Sequence, residues 1–275
     1  MDTELPVVGV ALMVNDLERH HNWLIEGRRD LELQDFCHPD VLENGWEDLV
    51  GEARRWLDGY DGRLGIHGPF YDLPLNARDI AVREIVQKRL TQALRAAEAL
   101  KGTHLVIHSP FSTWDSHHVD AKSGGRDEII ELCQKTLGPL VERAESAGVT
   151  FVIENIEDRD PHLWAALARS FESSAVACSL DTGHAHYAHG STGGPPVDHF
   201  IQVAGKDLAH IHLQDADGYA DRHWRPGQGT IHWHALFAAL RDTGATPRLL
   251  IELADHRRHE VREAADWLIA EGLVR

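Results

Sequence analysis

Short apolar runs alternate with amphipathic stretches from one end of the chain to the other. V-V-G-V-A-L-M, H-L-V-I-H, T-F-V-I-E and L-L-I-E-L are apolar at nearly every position, the pattern of parallel strands buried on both faces. Together with the weaker runs they predict eight strands, over residues 7–13, 30–36, 63–67, 104–108, 150–154, 177–181, 208–213 and 249–253. Helical spacing follows each one. Val82, Ile85, Val86, Leu90, Leu94, Ala97 and Leu100 recur every three to four residues, with Gly102 placed to end that helix. Ile129, Cys133, Leu137, Leu140, Val141 and Ala144 do the same ahead of Gly148, with Pro139 expected to kink the helix. Pro161 suits a first turn, Leu236, Phe237 and Leu240 mark another helix before Gly244, and Val261, Ala264, Ala265, Leu268 and Ile269 the last.

Eightfold strand–helix alternation predicts an α/β fold closed as a single (β/α)8 barrel rather than an open sheet. No G-x-G-x-x-G follows the first strand, against a dinucleotide-binding fold. No linker, low-complexity tract or charge block divides the sequence, so residues 1–275 are expected to form one domain.

Composition narrows the partners. With 44 acids against 27 bases the formal net charge is −17, which disfavours nonspecific binding to nucleic acid or anionic membranes. No apolar run approaches the ~20 residues of a membrane span, and the N-terminus has no basic region followed by a signal-peptide core. Cys37, Cys133 and Cys178 share no short spacing, so neither disulfides nor a thiolate metal site is expected. The chain reads as cytoplasmic. Its 20 histidines, spread rather than run together, prompt a search for a site.

Barrel enzymes carry their chemistry at the carboxyl ends of the strands. Here the third predicted strand ends in His67, the fourth in His108, the fifth in Glu154 and the sixth in Asp181, with His184 just beyond. The seventh ends near His212, followed by Asp221 and His223 two apart in a loop, and the eighth carries Glu252. In an extended segment, residues two apart project to the same side, so the D-x-H pair can address one centre. Acids and imidazoles are costly in apolar strands unless paired or bound. Six such strand ends at one barrel mouth predict a metal centre, with a ligand set suited to Zn, Mn, Fe or Co.

This arrangement resembles the xylose-isomerase-like barrel superfamily, and within it the endonuclease IV branch, over most of the chain from the third strand onward. The resemblance implies two or three divalent ions, zinc foremost. One would take His67, His108 and Glu154; a second would share Glu154 and add Asp181, His212 and Glu252; a third would take His184, Asp221 and His223. The tagatose-epimerase-like sugar isomerases need mainly the set matching Glu154, Asp181, His212 and Glu252. Three ions of about +6 against carboxylates of about −4 would leave a positive centre for a phosphate.

The leading expectation is therefore a metal-dependent hydrolase of a small sugar- or nucleotide-type phosphoester. The alternative is a sugar or sugar phosphate isomerase or epimerase, using one metal and Glu154 and Glu252, or one of them, as proton-transfer bases. An abasic-site DNA endonuclease ranks third. The loop C-H-P-D-V-L-E-N-G-W-E-D is acidic where a DNA-bending enzyme needs cations, so DNA is not the expected partner. A small anionic or sugar-like substrate is. A non-catalytic binding barrel comes fourth. Supporting roles are expected for Glu32 and Arg225 as substrate contacts, and for His186, Asp215 and Asp217 in orienting ligating imidazoles.

Overall fold

The computed structural model describes residues 5–275; the first four residues of the N-terminal segment read as lacking a signal peptide lie outside them. Eight parallel strands close into a barrel in sequence order: β1 (Val8–Leu12), β2 (Leu31–Leu33), β3 (Leu64–His67), β4 (His104–His108), β5 (Thr150–Glu154), β6 (Val176–Asp181), β7 (Leu208–Leu213) and β8 (Arg248–Ile251). β1 pairs with β8 through Val10 and Ile251, completing the ring. The strands match the apolar runs within a few residues, because full burial on both sides demands them. The clearest difference is β2, which stops at Leu33; Phe36 falls in a 3-10 turn, Asp35–Cys37.

The helices cover the barrel outside. Ile80–Leu100 ends with Lys101, not Gly102, in the left-handed conformation, while the Gly102 N–H closes back onto Ala97. Gly125–Ala147 continues through Pro139 and ends at Gly148 with φ +67°. The core between barrel and helices is apolar, with Phe36, Phe151, Trp164, Phe200 and Phe237 buried. No helix among the described residues is long and apolar enough to cross a membrane.

The inside of the barrel is different. Glu32 from mid-β2, His104 from the start of β4, and Ser179 and His210 from β6 and β7 are all buried. Gly65, paired with His104 across β3 and β4, makes room for this layer: a Cβ there would sit 2.0 Å from the imidazole. Strand alternation then carries the polar lining upward. His108 lies four residues above His104, and His212 two above His210.

Candidate metal centre at the barrel mouth

The residues expected at the strand ends converge. β4 and β5 pair His108 with Glu154, and β6 and β7 pair Asp181 with His212. Glu154 is central: its Oε2 lies 3.4 Å from His67 Nε2 and 3.8 Å from His108 Nε2. Its Oε1 lies 3.2 Å from His212 Nδ1 and 3.6 Å from His184 Nδ1. Glu252, one residue past β8, comes 3.4 Å from His212 Nδ1 and 3.6 Å from His223 Nδ1. His184 Nε2 and His223 Nε2 approach Asp221 at 3.4 and 3.1 Å. Three groups result at the mouth, each with its ligand atoms within 4.8 Å of one another: His67, His108 and Glu154; Glu154, Asp181, His212 and Glu252; and His184, Asp221 and His223; a fourth, Glu32, His210 and His212, lies beneath them.

This donor set fits divalent ions. Glu154 Oε2 and Asp181 Oδ2 are buried with no hydrogen-bond partner, a costly state for a carboxylate oxygen that a cation relieves. His67 Nδ1 lies 2.9 Å from the Gly68 carbonyl, so donation there leaves the Nε2 lone pair facing Glu154. Cys37 borders the cleft, but burial pushes its thiol up to about 12, so it offers no thiolate. The mouth thus holds His, Glu and Asp clusters capable of coordinating one or more divalent ions, without sulfur.

Electrostatics reflect the crowding. Burial opposes the charge on His212, yet Glu252, Glu32 and Glu154 hold its pKa well above the usual value. Burial likewise opposes charge on His184, and Asp181 and Asp221 overcome it. Burial lifts the Asp181 carboxyl to about 6. His108 has weaker support: burial drops it to about 3, so it is a neutral ring, stacked on Phe70 at 4.0 Å.

The D-x-H pair meets the cluster by a route other than an extended strand. His223 has φ +47°, and its N–H donates to Gln214 Oε1 at 2.9 Å. A left-handed non-glycine residue carries strain of ~1–3 kcal/mol, and here the bend turns the imidazole inward. Gln214 also donates to Asp181 Oδ1 at 3.0 Å and Asp221 Oδ1 at 2.9 Å. Gly183 leaves room for that amide, since a Cβ there would lie 2.2 Å from it. Asn155 accepts from the Asp181 N–H at 2.7 Å, and Gln34 donates to Glu252. Sequence reading missed these three amides. The signal available was position alone: Asn155 follows Glu154 directly, and Gln214 lies two residues past His212.

The supporting residues lie elsewhere than expected. Glu32, read as a substrate contact, is fully buried beneath the mouth and does not line the cleft. Its Oε1 accepts from His212 Nε2 at 2.9 Å, and its Oε2 lies 3.0 Å from His104 Nε2 and 3.1 Å from His210 Nε2. Arg225 turns away to Glu260 and Glu263. Asp215 ties its own loop, accepting from the Ala216, Gly227 and Ile231 N–H groups and from Trp233 Nε1. Asp217 pairs with Arg222, and His186 meets Thr230. For Asp215, Asp217 and His186 the hydrogen bonds and ion pairs run to these loop partners rather than to a ligating imidazole.

The cleft has a volume of about 320 Å³, walled by Gln34, His38, Phe70 and Tyr71 as well as the cluster. Its guanidinium, Arg258, is paired with Asp255.

A closed parallel barrel whose strand ends gather carboxylates and imidazoles in one cleft defines a metal-capable (β/α)8 barrel. The chain belongs to the xylose isomerase-like TIM barrel family, whose model matches residues 32–271. An uncharacterized protein of Methanocaldococcus jannaschii is 26% identical over 205 residues, covering 71% of this chain; the chain spans 66% of the length of that relative. Among solved structures, a D-tagatose 3-epimerase-like protein superposes with TM-score 0.72 at 22% identity, covering 96% of this chain and 99% of that one. The 3-keto-D-glucoside 4-epimerase of E. coli gives 0.71 at 15% identity, with the same coverages of 96% and 99%. D-psicose 3-epimerase of Clostridium cellulolyticum H10 gives 0.66 at 17% identity, covering 90% and 84%.

These findings correct the leading expectation. The solved structures named above carry sugar-epimerase names rather than those of phosphoester hydrolases or abasic-site endonucleases. The mouth gives the physical reason. Arg225, expected as a substrate contact, is committed instead to Glu260 and Glu263, so no side-chain cation from that loop meets an anion at the mouth.

Proposed function

We propose that the protein is a divalent-metal-dependent sugar isomerase or epimerase that moves a proton at a carbon next to a sugar carbonyl. The observation that carries this reading is the four-residue group Glu154, Asp181, His212 and Glu252, in which two glutamates flank one imidazole nitrogen at 3.2 and 3.4 Å. Those four residues would hold one ion. A divalent ion bound there supplies positive charge beside a carbonyl and its neighbouring hydroxyl, which acidifies the adjacent C–H.

The chain's own groups do the rest. Burial opposes charge on Glu154, but His212 and His67 keep its carboxyl well below the usual range, so the group is ionised. One of the two glutamates takes the proton from carbon, leaving an enediolate. The other returns a proton to the opposite face of that carbon for epimerisation, or to the neighbouring carbon for isomerisation. Gln34 holds Glu252 in place. His67, His108, His184, Asp221 and His223 ring the cleft as contacts for sugar hydroxyls, and Phe70 and Tyr71 offer faces for the ring's C–H edges. The similarity to sugar epimerases supports the same reading.

The test is solvent deuterium exchange. Metal-loaded protein in D2O, given a panel of ketoses and keto-glycosides, is expected to incorporate deuterium at the carbon beside the carbonyl and to yield the epimer or isomer. Product formation without deuterium would indicate hydride transfer and overturn the two-glutamate mechanism.

A further inference from the structure

A second cavity of about 280 Å³ adjoins the 320 Å³ cleft, and the two share Phe70, His108 and Ile156. Their chemistries differ. The cleft is ringed by imidazoles and carboxylates, whereas Leu73, Leu75, Pro110 and Phe111 dominate the annex. The charged residues in its lining are Asp72 and Glu157, and neither Lys nor Arg lines it. Phe70 stands between the two spaces, with one face stacked on the neutral His108 ring at 4.0 Å and 11°.

A free monosaccharide presents hydroxyls on nearly every side and would leave these apolar walls without a partner. An anionic extension such as a phosphate would face two carboxylates and no base. We propose that the annex receives an uncharged, apolar substituent of the sugar held in the cleft, so that the substrate class is a keto-glycoside, its carbonyl on a ring carbon other than the anomeric one, with an aryl or alkyl aglycone. The inference rests on the sugar isomerase or epimerase reading and narrows it. The cavities share three wall residues, and their volumes together lie in the range that encloses a ligand larger than one sugar.

The test uses metal-loaded, full-length protein and one sugar carrying a keto group at ring carbon 3 in three forms: free, methyl glycoside and phenyl glycoside, each of which keeps that carbonyl. Calorimetry measures binding, and deuterium exchange gives kcat/KM. The phenyl form is expected to bind at least about tenfold more tightly than the methyl form, the effect of burying an aromatic ring on apolar walls. Leu73→Trp, which fills the annex, should remove that preference and leave the methyl form within about twofold. Equal binding of phenyl and methyl forms overturns the inference, as does a Leu73→Trp variant weakened equally for both. If the methyl form is turned over and the phenyl form is no better, the glycoside assignment fails while the proton-transfer reading stands. If no form exchanges deuterium, the proton-transfer reading fails, and the ratio of the two binding constants still decides the annex.

Discussion

Glu32 accepts a hydrogen bond from Nε2 of His212 at 2.9 Å from inside the barrel, which leaves Nδ1 of the same ring facing Glu154 and Glu252. Glu32 is a positioning residue that fixes a tautomer. A ligand imidazole usually donates its other N–H to a carboxylate, and loss of that partner costs 10–100-fold in metal affinity. Glu32→Gln is expected to weaken binding of Mn²⁺ or Zn²⁺ by roughly that factor, read by equilibrium dialysis, with near-native circular dichroism. Unchanged affinity in a folded variant would remove Glu32 from this role.

The two glutamates and the D-x-H pair separate by kinetics. Glu154→Gln and Glu252→Gln are each expected to lower the deuterium exchange rate by about 10²–10⁴-fold. His223→Ala should act mainly on KM, since a hydroxyl contact made equally in ground and transition states leaves kcat largely intact. A loss of kcat in His223→Ala as large as in the glutamate variants would place this imidazole in the chemistry itself.

Much of the barrel was legible in the sequence because its strands are buried on both faces and therefore apolar at consecutive positions. Strand ends were equally legible: an acid or imidazole closing V-I-H or V-I-E stands out against its neighbours. Loop partners were not. Asp215 resembles a group that orients an imidazole until the loop folds and its carboxylate meets the Gly227 N–H at 2.8 Å. Glu32 looked like a residue near an open rim, because the register that carries β2 inward beneath His212 is a property of the closed barrel. Gln214 carries no charge and drew no notice, although it links Asp181 to Asp221. The leading reaction failed for a related reason: nine ligand-capable residues fit several ions or one, so the ligand set alone does not separate a phosphate site from a sugar site.

Metal removal should destabilise the fold in a pH-dependent way. Despite burial, the surrounding carboxylates raise His212 and His184 well above 6.5, and raise His223 to about 9. In the metal-free protein their stabilising contribution is fully present below pH 6.5 and is lost as pH rises through the raised values. Ligation requires these protons to leave, so metal affinity increases over the same range. The gain in Tm on adding Mn²⁺ or Zn²⁺ to chelator-treated protein is thus expected to be larger at pH 8 than at pH 6. Scanning calorimetry at both values checks it, and a gain that shrinks with pH would contradict the protonated state of the cluster.

Asp158 offers a test away from the ligands. Its side chain is buried, accepting from Ser109 Oγ at 2.7 Å and from the Ile156 N–H at 2.9 Å. Burial outweighs these bonds and pushes the carboxyl up to about 7 from an ordinary 3.8. In the folded state the proton is therefore held while the unfolded chain has already released it. Between about pH 4 and 7 the folded form binds more protons, so stability from this group falls as pH rises, on the order of a few kcal/mol across the full range. Asp158→Asn keeps the shape, carries no charge, and can still accept one bond through Oδ1. The variant is expected to gain on the native protein from pH 5 to about pH 7, by several degrees in Tm, and to level off toward pH 8. A difference in Tm that stays flat between pH 5 and pH 7 would mean that Asp158 is ionised in the folded protein throughout, with Ser109 and the Ile156 N–H sufficient to hold its charge.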